Sequence, residues 1–474
     1  MNSYLFYDIE TTGLNIAFDQ VLQFSAIRTD RVLNEIERHT IKVQLRPDVI
    51  FSPGAMIINR ISIADSMQGT CEFEAVRQIH ELLNKPGTIS FGYNTLGFDD
   101  DILRFSFHRN LLPPYTHQYK NGCYRMDLLP ITVLYRLYNE AILTWPNYEG
   151  KPSLKLEHLS SANQLSTGQA HDALVDVNAT VALARKFFQE QKMWKYLCGY
   201  FNEQTDRGRI KTLPTAFQSP AGVHRNGLMV GSQFGPEQNY QVPVLSIGGS
   251  IPYQNQTLWL RLDLPDLREA TSETVPDTTW VIRKRYGEPA IVLPPRERFL
   301  KHLNQDRSDA VEKNIGWIKE NPKIFQEIIR YHREYTYPEI PDLDIDVALY
   351  QIGFLSRQEQ ELCRGFHAAS LAEKVKMISR FPNAETRRLA GRVLCRNYTI
   401  DLPKEIDAEY KKYMRRVTPQ FDDDAMLDFK GERRTTPPGA LLEINRLRDE
   451  VSLGTEQRAL LDDLENYIRD IFIK

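Results

Sequence analysis

The chain opens with an apolar run, Tyr4-Leu5-Phe6-Tyr7, that ends in Asp8-Ile9-Glu10. Such a run reads as a strand, and on a strand positions i and i+2 face the same side. Asp8 and Glu10 therefore project together from the end of an otherwise apolar element. Burying paired negative charge without compensation is costly. Either the pair stands in water or something positive sits on it. Thr11-Thr12-Gly13 supplies a sharp exit from the strand. Asp-x-Glu is common by chance, so the rest of the chain has to decide between the two.

Two further acidic sites bear on that choice. Asn94-Thr95-Leu96-Gly97-Phe98-Asp99-Asp100 follows an apolar segment at 89–93 and reads as strand, turn and helix start. One aspartate can cap that helix, which leaves the other to spare, and the Phe98 ring is expected to anchor the turn in the core. The third site is His171-Asp172-Ala173-Leu174-Val175-Asp176. Asp172 suits an N-cap. Ala173, Val177, Thr180 and Ala184 share one small, apolar helix face. Asp176 lies beside that face, where a carboxylate should be satisfied or bound to a cation. His171 stands just ahead of the helix, where a loop can present its ring.

The first 190 residues alternate strand and helix patterns. Strands are expected over 4–8, 21–29, 40–45 and 88–93, and helices over 73–83, 100–110, 126–138 and 172–189. Three meandering strands followed by alternating helices and strands predict a mixed α/β sheet covered by helices. From about 192 to 212 the pattern dissolves, and a boundary is placed there. Short strands over 242–247, 257–262, 279–284 and 291–293, separated by Pro and Gly, predict a small barrel or curved sheet. Helices return over 309–319 and 322–335. Beyond the connector at 337–341 helical periodicity dominates, with an interruption at 433–439 around Pro437-Pro438. The expected domains are thus 1–190, 193–345 and 348–474.

Bulk properties narrow the class further. With 59 basic and 62 acidic residues the net charge is -3, so a nucleic-acid surface would have to be a local groove. The five cysteines are scattered, without a C-x-x-C pair. That argues against a disulfide framework and a structural zinc site. No signal-like N-terminus and no membrane-length apolar stretch is evident. A cytoplasmic protein without membrane contact is expected.

Strand Asp-x-Glu, then strand-turn Phe-Asp, then His-x4-Asp opening a helix, in that order, resembles the exonuclease superfamily named for its Asp-Glu-Asp-Asp set, in the subclass with a histidine base. The resemblance implies a ribonuclease-H-like fold. It also implies Asp8, Glu10, Asp99 and Asp176 as metal ligands and His171 as general base, with Glu10 counted among the catalytic groups. Oxygen ligands select hard cations, so two Mg²⁺ ions are expected, with Mn²⁺ as a substitute. The size and domain order are similar to the bacterial exonuclease I family, with an exonuclease domain, a Src-homology-3-like barrel and a helical C-terminal domain. Gly92-Tyr93-Asn94, Leu156-Glu157-His158-Leu159 and Ala170-His171-Asp172-Ala173 support the match locally. This implies 3′→5′ degradation of single-stranded DNA to 5′-mononucleotides in repair and recombination. It further implies a monomer and a partner in single-stranded DNA-binding protein.

Single-strand binding needs basic groups for phosphates and flat rings for bases. Residues 104–125 interleave both: Arg104, Arg109, Tyr115, Tyr119, Tyr124 and Arg125. By resemblance, Arg104, Tyr115 and Tyr119 fall at DNA contacts, and Glu10 and His171 also touch substrate. Tyr119 stands in place of a larger indole. Lys155 stands where the family's substrate-binding Arg is expected; it keeps the charge and loses the bidentate fork. Arg283-Lys284-Arg285-Tyr286 is a second basic candidate. Two other readings compete. An exoribonuclease keeps the chemistry and changes the substrate. An inactive nucleic-acid-binding scaffold predicts the loss of a carboxylate or the histidine, whereas all five are present.

Overall fold

The computed structural model of the protein describes residues 2–166, 172–450 and 452–473. Five strands form the first sheet: β1 (Ser3–Thr11), β2 (Val21–Thr29), β3 (Glu35–Lys42), β4 (Thr88–Gly92) and β5 (Tyr124–Asp127). Their order is β3-β2-β1-β4-β5. The first three make the expected antiparallel meander, and β4 joins β1 in parallel. The sheet is therefore mixed, and helices cover it.

Strand β1 is central, and Tyr4, Leu5, Phe6 and Tyr7 are all buried. A strand covered on both faces shows a continuous apolar run rather than alternation. Helix Glu72–Asn84 packs Ala75, Val76, Ile79 and Leu83 into one core with Leu5, Tyr7, Ile9 and Phe24. Sequence reading places the third strand about five residues late. Its true start, Glu35-Ile36-Glu37-Arg38, lies on an exposed edge and carries little apolar signal. Because β1 and β4 run parallel, their C-terminal ends share one edge of the sheet. That edge is where open α/β sheets place ligands.

The chain divides into two compact units, Met1–Arg125, Thr167–Asn178 and Glu339–Lys474 in one, Met126–Ser166 and Ala179–Pro338 in the other. In the first, C-terminal helices complete the core. Ile444, Leu461, Leu464 and Ile468 pack with Leu22, Phe51 and Met56. Phe366, Leu389 and Val393 pack with Phe73 and Leu111. Helical periodicity breaks earlier than the sequence indicates, at Thr418 after helix Lys404–Val417. Pro437-Pro438 opens a helix, Pro437–Glu450, instead of breaking one; proline suits the first helical turn, where no N–H partner is needed.

The second unit carries a hairpin, β6 (Asn147–Tyr148) with β7 (Lys151–Pro152), and a six-stranded antiparallel sheet. That sheet comprises β8 (Thr215–Ser219), β9 (Gly222–Val230), β10 (Gln241–Gly249), β11 (Gln256–Arg261), β12 (Val281–Arg285) and β13 (Ile291–Leu293). The order is β12-β11-β10-β9-β13, with β8 also on β9. Leu245, Leu258 and Leu260 pack against Ile318, Phe325 and Ile328 of helices Gln305–Glu320 and Pro322–Glu334. The stretch read as irregular is helical, Gln191–Cys198 and Glu203–Lys211. Each helix is short and buries only a few apolar anchors, Trp194, Leu197 and Ile210, so its periodicity is faint. Among the described residues no helix is long and apolar enough to cross a membrane.

Candidate active site

Asp8 and Glu10 occupy the C-terminal end of β1, both half-buried, with buried Ile9 between them on the opposite face. The pairing register with β2 slips between Glu10 and Thr11. Such bulges re-aim side chains at sheet ends. Helix Ala173–Phe188 brings in the third carboxylate. Asp172 accepts a hydrogen bond from the Leu174 amide at 2.9 Å and caps that helix, as expected. Ala173, Val177, Thr180 and Ala184 are buried, which fixes the rotation of the helix and presents Asp176 beside them. Asp8, Glu10 and Asp176 each place an oxygen within 4.8 Å of the others. No second group of three such ligands forms among the described residues.

Asp99 arrives by a separate route. The chain leaves β4 at Gly92, where a Cβ would lie 2.8 Å from the Tyr7 carbonyl oxygen, so only glycine permits this approach. Asn94 turns the chain with a left-handed φ of 65°, a conformation asparagine tolerates. The half-buried Phe98 packs against the core, as expected. Phe98 itself takes the cap position, so Asp99, Asp100 and Asp101 all lie in the first turn of helix Asp99–Arg109. This corrects the expectation that one aspartate is the cap. Three carboxylates there are favoured by the free N–H groups and the helix dipole.

The electrostatics of this cluster run against ionisation. Burial pushes the Asp8 carboxyl well above its usual value, and the charges of Asp99 and Asp176 push it further. Burial and then Asp8, Asp176 and Asp172 raise Glu10 to about 9. Carboxylates that crowd and repel one another are stabilised as anions by a shared cation. An all-oxygen set suits a hard divalent ion. The residues therefore fit a metal of the Mg²⁺ or Mn²⁺ class.

Comparison with known proteins supports this geometry. A family model described as "Exonuclease" matches residues 5–184, a span that holds all four carboxylates. Residues 5–184 are thus similar to an exonuclease domain. Over 448 residues the chain is 28% identical to exodeoxyribonuclease I of Escherichia coli K12, covering 89% of this chain and 91% of that protein. The fold matches E. coli exonuclease I in complex with a dA16 oligonucleotide, with a TM-score of 0.84, 24% identity and coverage of 99% and 100%. It also matches a zinc-bound form of the E. coli enzyme with single-stranded DNA, with a TM-score of 0.81, 24% identity and 99% of each chain covered.

Around these carboxylates, several predicted contacts are placed differently from a simple basic groove. Arg104 is buried, donating from Nε to Asp100 at 3.0 Å and from Nη1 to the Tyr350 hydroxyl at 3.2 Å, with Asp101 also paired. Arg109 is fully buried and bonds the carbonyls of Ala17 and Asp19. Arg125 pairs with Asp100 at 2.5 Å. Interior acids and carbonyls thus claim three of the basic residues in the 104–125 stretch. Tyr115 is half-buried against the core, edge-on to Phe354 at 6.2 Å. Tyr119 is 69% exposed, with its ring open to solvent. Lys155, in the second unit, is exposed and lies 3.6 Å from Glu157. His171 lies outside the described residues.

The 283–286 run does not form a continuous basic face, because β12 alternates its side chains. Lys284 turns inward and pairs with Asp206 at 2.9 Å, while Arg283 stacks over the Tyr335 ring. Sequence reading did not single out His117, which is buried and bonds Asp100 at 2.8 Å. The only signal was the spare aspartate in Asp99-Asp100, which needed a partner.

Proposed function

We propose that this chain is an exodeoxyribonuclease that degrades single-stranded DNA from the 3′ end to 5′-mononucleotides, in repair and recombination. The observation that carries the reading is the convergence of Asp8, Glu10 and Asp176 within 4.8 Å in an exonuclease domain. In this reading Asp8, Glu10, Asp99 and Asp176 hold two divalent ions, Mg²⁺ with Mn²⁺ as a substitute. When bound, such ions stabilise charge on a phosphodiester and lower the pKa of a water. The four carboxylates fix that chemistry at the end of β1, next to the scissile phosphate. His171 accepts the proton of the attacking water on its imidazole. The bond from phosphorus to the 3′-oxygen breaks, and the shortened strand keeps that oxygen.

The E. coli relative, similar over nearly the whole chain, supports DNA as substrate. Tyr119 and Tyr115 offer stacking surfaces, Lys155 offers charge, Arg104 contributes from beneath while paired with Asp100 and Asp101, and Glu10 and His171 complete the contacts to the terminal nucleotide. The same reading makes the protein a cytoplasmic monomer whose protein partner is single-stranded DNA-binding protein. It retains the domain limits 1–190, 193–345 and 348–474.

The test is Mg²⁺-dependent digestion of 3′- and 5′-labelled oligonucleotides, single-stranded, duplex and RNA. A 5′-labelled DNA single strand should shorten stepwise while duplex and RNA persist. A DNA strand that survives, or that is cut internally, overturns the assignment.

A further inference from the structure

The loop between helix Asp99–Arg109 and β5 carries Tyr115 and Tyr119, and between them His117 points the other way, into the core. Its ring is 1% exposed. The Nε2 atom lies 2.8 Å from Asp100 Oδ1. Asp100 also receives Arg104 at 3.0 Å and Arg125 at 2.5 Å. Two guanidinium partners mark Asp100 as the carboxylate acceptor of this cluster. A charged carboxylate only accepts hydrogen bonds, so Nε2 must be the protonated nitrogen of His117. Asp100 is the immediate neighbour of Asp99. The loop is pinned a second time near Tyr115, where His80 Nε2 lies 3.1 Å from the Pro113 carbonyl oxygen and 3.3 Å from the Thr116 hydroxyl.

We propose that His117 is a positioning residue that locks the Tyr115–Tyr119 loop to the helix start bearing Asp99, so that a strand stacked on the tyrosines reaches the carboxylates in register. The inference rests on the single-strand reading above. Its logic is geometric. Arg104 and Arg125 hold Asp100 without help from the histidine, so the carboxylate cluster survives its loss. Within the 116–119 turn it is His117 that carries the bond to Asp100. A displacement of about 1 Å between substrate and catalytic groups can cost on the order of a hundredfold in rate.

Two amide variants separate positioning from mere filling. The nitrogen of His117→Gln reaches the Nε2 position and keeps the bond to Asp100. In His117→Asn it reaches only the Nδ1 position and loses the bond. With a 5′-labelled DNA single strand, the Asn variant should lose about tenfold to a hundredfold in kcat, and the Gln variant should stay near wild type. Mn²⁺ binding by both proteins without DNA, followed by calorimetry, should be unchanged. Equal losses in both variants, weakened Mn²⁺ binding in the Asn variant, or wild-type turnover by the Asn variant each overturn the proposal. If the Asn variant fails to fold, His117→Met, similar in bulk and lacking a donor, replaces it in the same comparison. Failure of the unaltered protein to digest the strand sinks the single-strand reading itself; digestion with an indifferent Asn variant sinks only this inference.

Discussion

Two groups of carboxylates in the first unit, one buried and one half-buried, are made of the same residue types and behave in opposite ways. Asp48, Glu72, Asp344 and Asp346 are buried among arginines. Arg46 reaches Asp48 at 3.1 Å and Glu72 at 3.0 Å, Arg396 reaches Asp48 at 2.8 Å, and Arg392 reaches Asp344 at 2.5 Å. Burial would raise Asp48 and Asp346, but Arg396 with Arg46 on the first, and with Arg392 on the second, hold both below their usual values. At the end of β1, Asp8 and Glu10 have acids as their neighbours and are raised. Compensated acids hold segments together; uncompensated ones are held ready for a cation. The contrast marks the functional site more sharply than burial or charge alone.

The contrast can be broken from either side. The largest effect is expected for Asp8→Asn, which should cost several kcal/mol of transition-state stabilisation, about a thousandfold or more in turnover. The same variant should stabilise the metal-free protein by about 1 kcal/mol, because it relieves repulsion. Calorimetry in EDTA together with an activity assay checks both. In the arginine-rich group the sign reverses. Arg396→Met leaves Asp48 and Asp346 short of a partner and should destabilise by about 3–5 kcal/mol, read from urea unfolding.

The two groups also titrate in opposite directions. Glu10 is raised from its ordinary 4.5 to about 9. Metal-free protein therefore holds this contribution below about pH 4.5 and loses it as pH rises through about 9. Added Mg²⁺ should flatten that loss. Asp48 is lowered from its ordinary 3.8. Its contribution is present above that value and is lost as pH falls through the lower folded value. Melting curves from pH 3 to 9, with and without EDTA, should show a stability maximum that narrows from the alkaline side when metal is withdrawn; a profile indifferent to EDTA would count against the cation site. The smallest effect is expected for Tyr119→Ala, which should weaken single-strand binding by about 1–3 kcal/mol and leave stability unchanged, as anisotropy and melting can show.

The mixed sheet and the acidic cluster were legible in the chain for one reason. β1 is a continuous apolar run and helix Ala173–Phe188 keeps a local period, and the carboxylates interrupt both at fixed positions. The three-strand meander was readable from its short turns. What was not readable depends on distant partners. Arg109 and Arg125 look like phosphate ligands beside tyrosines, yet interior carbonyls and Asp100 claim them. Lys284 looks like part of a charge run, yet Asp206 draws it inward. Edge strand β3 and the short helices after residue 190 bury too few side chains to print a pattern.

The interleaved make-up of the first unit also sets a clock. Asn15, in the loop that follows the Asp8–Glu10 strand, donates to Asp428, 413 positions later, at 2.9 Å. Asp48 waits similarly for Tyr413. At roughly 5–20 residues per second, synthesis of the intervening chain takes roughly 20–80 s. The strand that bears the carboxylates therefore leaves the ribosome well before the residues that complete the packing around it. A fragment released before Asp428 would lack the partners that close this layer.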